Sequence, residues 1–79
     1  MEKDILENRI SRIKGQVSGI EKMVQEKRSC LDIVQQIAAV RAALAKVGGM
    51  ILASESCKQG LKKNPKDFER TLKELVKNL

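Results

Sequence analysis

Histidine, tryptophan and tyrosine are absent from this 79-residue chain, phenylalanine and proline occur once each, and cysteine occurs twice. The lack of histidine excludes Ser-His-Asp and Cys-His catalysis and every His-ligated zinc arrangement. A single aromatic, Phe68, argues against stacking on the bases of single-stranded nucleic acid. No phosphate-cradling G-x-x-x-x-G-K-[ST] loop occurs, and Gly15-Gln16-Val17-Ser18-Gly19 reads as a close-packing or turn feature instead. The carboxylates are scattered over charged faces. An enzyme is therefore not expected. The N-terminus, Met1-Glu2-Lys3-Asp4, lacks a signal peptide's apolar core, and no uncharged run is long enough for a membrane span. The expectation is a cytoplasmic protein, in which two cysteines serve as ligands, redox groups or buried fillers rather than a structural disulfide.

What is present is helical periodicity. Leu6, Ile10, Ile13, Val17, Ile20 and Val24 alternate in steps of four and three, the heptad pattern of a bundle helix. From Cys30 onward, Leu31, Ile33, Val34, Ile37 to Val40 and Ala42 to Ala45 cover nearly the whole circumference of a second helix, which needs neighbours on several sides. A third begins at Asn64-Pro65-Lys66-Asp67, with an Asn N-cap, Pro at the first helical position and an acid near the positive end of the dipole. Its apolar face is Phe68, Leu72, Leu75, Val76 and Leu79. No strand pattern appears.

The pattern predicts an all-α fold in one domain spanning residues 1–79, with helices over about 4–27, 30–60 and 65–78. Short polar connections fall at Lys27-Arg28-Ser29 and Lys62-Lys63-Asn64. Gly48-Gly49 are the one internal site of interruption, at a cost of about 2 kcal/mol relative to alanines, and the central helix is expected to run through them. At ~45 Å it exceeds a compact domain of this size, whose radius of gyration is ~12 Å. Self-association about a twofold axis follows as the economical solution.

The formal net charge is +6. It is concentrated at the ends: residues 1–28 carry +2, 29–57 are neutral and 58–79 carry +4. Arg9, Arg12 and Lys14 have no acid between Glu7 and Glu21. Such a patch attracts phosphate, although a solvated lysine-rich surface has the same composition. No helix-turn-helix pattern is evident, so any DNA contact belongs to the surface of an assembled oligomer.

Cys30 is the strongest chemical candidate. Ser29 is suited to N-cap the second helix, which places Cys30 at the positive end of its macrodipole beside Arg28, with Asp32 opposing both. On one continuous helix Cys57 lies ~40 Å away, so any pairing of the two is between subunits. In an antiparallel pair of such helices, Cys30 meets Cys57 of a second copy when the axis lies between Ala43 and Leu44.

The run Asn8-Arg9-Ile10-Ser11-Arg12-Ile13-Lys14-Gly15-Gln16-Val17-Ser18-Gly19-Ile20, with Cys30-Leu31-Asp32-Ile33 and Gln36-Ile37-Ala38-Ala39-Val40-Arg41-Ala42-Ala43-Leu44, resembles the CsoR/RcnR/FrmR family of bacterial ligand-responsive repressors. The resemblance spans nearly the whole chain. It implies a three-helix protomer with a long central helix, forming an antiparallel helical dimer and then a flat tetramer, a dimer of dimers. This assembly binds double-stranded operator DNA and releases it when a ligand occupies inter-subunit sites. By the same resemblance Arg9, Arg12, Lys14, Gln16 and Arg41 contact DNA, and Cys30 belongs to the sensor.

The sensor departs from the family pattern. At the positions where copper-sensing members supply a His and a second Cys, this chain has Glu55 and Gln59, poor ligands for Cu(I), which prefers soft thiolate or imidazole. The absence of His disfavours nickel or cobalt sensing, and Glu2 replaces the proline of formaldehyde-sensing members. Persulfide-sensing members keep two cysteines without the His, but their second also aligns with Gln59. Cys57 is two residues from both positions, roughly 160–200° around an ideal helix. Two readings of it stay open, as the partner of Cys30 in a site for a soft metal such as Cu(I) or for reactive sulfur, and as a bystander. The competing function class is a basic helical interaction or nucleic-acid-binding module without an inducer.

Overall fold

The structure, a computed structural model, describes residues 2–77 and is helical with no strand among them. Four helices follow one another, α1 Glu2–Gln25, α2 Cys30–Ala53, α3 Glu55–Lys63 and α4 Pro65–Val76. The expected three-helix protomer is corrected on this point, because the central helix does not continue to residue 60. The chain falls into two compact units, Met1–Val47 and Gly48–Leu79.

In the first unit α1 and the first part of α2 form a helical hairpin. Its turn is a Schellman motif: the Arg28 N–H donates to Met23 O at 3.0 Å and the Lys27 N–H to Val24 O at 3.1 Å. Lys27 occupies the left-handed position of that motif, φ 56°, where glycine is the usual residue. α1 therefore stops at Gln25, two residues before the expected boundary. Ser29 caps α2 as expected, its Oγ accepting from the Asp32 N–H at 3.1 Å. Ile13, Val40 and Val47 are buried, with Leu6, Ile20 and Ala43 packed against them. These are heptad positions of α1 and one stripe of α2. Val17, Val24, Leu31, Val34 and Leu44 remain more than half exposed, so the hairpin buries only part of its apolar surface. Ala43, expected at a twofold seam, packs into the hairpin core, while Leu44 faces out.

The second unit comprises the last turns of α2 with α3 and α4. Helix α2 runs through Gly48-Gly49 without a break. The demand for glycine is tertiary and falls on one of the two: a Cβ at Gly48 would lie 2.7 Å from Leu75 Cδ1 of α4, whereas one at Gly49 would meet nothing within 4 Å. Gly48 is thus the seat on which α4 rests. The break comes at Ser54, which is extended (φ −70°, ψ 148°) and caps α3. Its Oγ donates to Ile51 O at 2.7 Å and accepts from the Cys57 N–H at 3.4 Å. One serine hydroxyl thus serves the end of α2 and the start of α3.

Asn64 alone separates α3 from α4, a shorter connection than Lys62-Lys63-Asn64. It stands at the N-cap position before Pro65, but its side chain makes no capping bond; its carbonyl accepts from the Asp67 N–H at 3.0 Å instead. The predicted helical end at 78 and the apolar Leu79 lie outside the described residues. Helix α2 is the one described helix long and apolar enough to cross a membrane by length and composition, with mean hydropathy 1.4. Arg41 and Lys46 fall inside it, and charged residues within a span are costly.

Candidate nucleic-acid interface and thiol sites

Arg9, Arg12 and Gln16 are spaced three and four apart on α1, which puts them on one helix face together with Ile13. Ile13 is only 7% exposed, and its burial against α2 anchors that face beside Ala43 and Val47. The result is a cleft of about 190 Å³ lined by Arg9, Arg12, Ile13, Gln16, Ala43 and Val47. Within it Arg9 Nε is buried and has no hydrogen-bond partner. A buried guanidinium N–H without an acceptor is costly. None of the ion pairs among the described residues involves Arg9 or Arg12.

The other two expected DNA-contacting residues stand apart from this cleft. Lys14 is exposed and lies roughly 200° around α1 from Arg12. Arg41 is exposed on α2 and does not line the cleft. The resemblance implies that all five contact DNA; the fold gathers three of them in one cleft.

The cysteines occupy equivalent local settings, each in the first turn of a helix capped by a serine. Cys30 opens α2 after Ser29 and is exposed. The neighbouring cation, Arg28, pairs with Asp32, Nη2 to Oδ2 at 3.6 Å, so the two charges expected to compete at the thiol bind each other. Cys57 is the third residue of α3 and half-buried. It lines a hollow of about 290 Å³ with Gly48, Ile51, Leu52, Thr71, Glu74 and Leu75. Glu74 is held by Lys77 Nζ at 3.0 Å.

Because α2 ends at Ala53, the straight-helix register that matched Cys30 to Cys57 of a second copy does not extend to Cys57. Glu55 and Gln59, one turn apart on α3, are exposed, while Cys57 between them turns toward the residues of its own unit. Thr71 and Glu74 were missed as neighbours of Cys57. Nothing in the local pattern marks them, since the Asn64-Pro65 turn brings α4 back over α3. No group of three or more Cys, Asp or Glu side chains able to hold a metal forms among the described residues. Cys30 and Cys57 carry the two thiols of the chain, the side chains best suited to a soft metal.

Comparison with known proteins adds the following. The sequence profile described as "Metal-sensitive transcriptional repressor" matches residues 2–79. The copper-sensing transcriptional repressor CsoR of Bacillus subtilis is 54% identical over 46 residues, covering 58% of this chain and 46% of that protein. The copper-sensing transcriptional repressor RicR of Mycobacterium tuberculosis is 44% identical over 46 residues, 58% of this chain and 48% of that protein. The transcriptional repressor RcnR of Escherichia coli O9:H4 is 44% identical over 43 residues, 54% and 48% of the respective chains. The matched segments thus span about half the length of these relatives. No solved structure matches the chain.

Proposed function

The chain belongs to the metal-sensitive transcriptional repressor family, and from that premise we propose that it is a cytoplasmic, non-enzymatic repressor whose oligomer binds double-stranded operator DNA and lets it go when Cys30 is engaged. The observation that carries DNA binding is the cleft of Arg9, Arg12 and Gln16, whose two arginines take part in none of the ion pairs among the described residues and so suit backbone phosphates. Lys14 and Arg41 add positive charge on other faces. Together they suit a surface that follows phosphates on more than one side, as an assembled oligomer presents.

Self-association is supported by the apolar residues each hairpin leaves wet, Val34 and Leu44 on α2 and Val17 and Val24 on α1. A dimer of dimers is the assembly we assign. For the sensor, Cys30 is the accessible thiol at a helix start, and the inducer is a soft metal such as Cu(I) or a reactive sulfur species, both of which react with thiolate. Cys57 is a second donor only if a partner protomer reaches the hollow it lines. Release requires that the inducer bind the DNA-free arrangement more tightly than the DNA-bound one, since a ligand shifts an equilibrium only by its differential affinity.

The test is binding to an operator selected from a random duplex library, followed by fluorescence anisotropy across a salt series. Arg12→Ala and Arg9→Ala should each weaken binding and reduce the slope of log K against log salt by about one unit per lost phosphate contact. Lys14→Ala should weaken it less. Unchanged affinity and slope in both arginine variants remove the cleft from the interface.

A further inference from the structure

We propose that the trough between α3 and the start of α4 is a second ligand site, for an amphiphilic organic anion of the alkyl or aryl carboxylate class. It has a volume of about 450 Å³ and is lined by Leu52, Leu61, Pro65 and Phe68, with Lys58 and Lys62 at its edge. That volume falls within the range of small-molecule pockets, about 300–1,000 Å³. Its floor is apolar, and it includes the single aromatic of the chain, Phe68, left 51% exposed.

The charge at the edge decides the chemistry. Lys58 and Lys62 stand four apart on α3 and take part in none of the ion pairs among the described residues. No carboxylate lines the trough. The other hollows of this unit differ, since the one beside Cys57 holds Glu74 and the one along α4 holds both Asp67 and Glu74. Two of the three acids of α4 are moreover occupied, Glu69 by Lys73 and Glu74 by Lys77, and the third, Asp67, lines the hollow along α4 and not this trough. Two unneutralised ammonium groups over an apolar floor select a ligand with one anionic end and an apolar body. The carboxylate accepts charge-assisted hydrogen bonds from the lysines, and the body lies on Leu61 and Phe68.

Size separates a small molecule from a peptide. The rise from Lys58 to Lys62 is ~6 Å, whereas a helix seated in a groove uses anchors over i to i+7, ~10 Å of rise. The lysine pair matches one head group.

The experiment is isothermal titration of the full chain with decanoate and, as the charge-inverted control, decylammonium. Saturable binding of one decanoate per protomer is expected, without binding of decylammonium. Lys58→Gln/Lys62→Gln should weaken decanoate by about tenfold or more through loss of charge-assisted bonds, and Phe68→Ala should also weaken it; circular dichroism checks that both stay helical. No saturable heat, equal binding of both amphiphiles, or affinity indifferent to both variants overturns the proposal. So does concentration-dependent protection of the Phe68 ring from decanoate in NMR spectra, which would give the trough to a second copy of the chain.

Discussion

Replacing the adjacent glycines of α2 by alanine, one at a time, separates helix propensity from the seating of α4. Both lie inside the same helix, so each substitution gains about 1 kcal/mol of propensity. At Gly49 that gain meets no opposing contact, because nothing lies within 4 Å of the new Cβ. At Gly48 the new methyl would sit 2.7 Å from Leu75 Cδ1, far inside the carbon–carbon optimum of ~3.5–4.0 Å. Overpacking of one methyl costs ~1–3 kcal/mol, toward the lower end here because Leu75 Cδ1 is the tip of a flexible, half-buried side chain. Gly49→Ala should therefore raise stability by about 1 kcal/mol, a shift of ~4–8 °C in Tm for a chain of this size. Gly48→Ala should be neutral to destabilising by about 1 kcal/mol. Combined with Leu75→Ala, Gly48→Ala should recover most of its propensity gain, which a double-mutant cycle resolves. The assay is thermal and urea unfolding followed by circular dichroism at one fixed protomer concentration, because assembly makes stability concentration-dependent. Equal stabilisation by the two alanines in the parent chain would refute the α4 seat on Gly48.

Two further outcomes follow from the hairpin. Lys27→Gly relieves a left-handed residue of a steric cost of ~1–2 kcal/mol, offset in part by glycine's greater chain entropy, and should raise the unfolding midpoint by the remainder; a lowered midpoint contradicts the Schellman turn. Leu44→Glu, at a position exposed in the protomer, should leave the helical signal intact and shift the light-scattering mass toward monomer, because assembly would bury an unpaired carboxylate; an unchanged mass removes Leu44 from the interface.

The packing of the hairpin was legible in part: Leu6, Ile13 and Ile20 of the 4–3 pattern of α1 form its core side, whereas Ile10, Val17 and Val24 of the same pattern stay exposed. The arginine cleft was legible in part, since Arg9 and Arg12 stood out as a basic patch, but Lys14 was grouped with them although it lies roughly 200° around the helix from Arg12, and Gln16 entered only through the resemblance. Reading the central helix to residue 60 failed at Ser54, where apolar periodicity continues on both sides and only the hydroxyl's two hydrogen bonds mark the break. Gly48-Gly49 drew attention as a weak point of α2, yet Gly48 answers to Leu75, 27 positions later, and no local pattern reports that contact. The neighbours of Cys57 were hidden by the same kind of distance. Lys27 was missed because a lysine does not advertise a left-handed turn as glycine does.

The central claim is that operator release is governed by Cys30, and it is tested most directly by titrating the protein–operator complex with inducer, as Cu(I) and separately as an organic persulfide, for the parent chain, Cys30→Ser and Cys57→Ser. Fluorescence anisotropy of the labelled duplex reads release in each case. The account predicts that Cys30→Ser binds the operator with parental affinity and is not released by the inducer that frees the parent, while Cys57→Ser reports whether the second thiol contributes. A Cys30→Ser protein that binds the operator normally and is still fully released would contradict it.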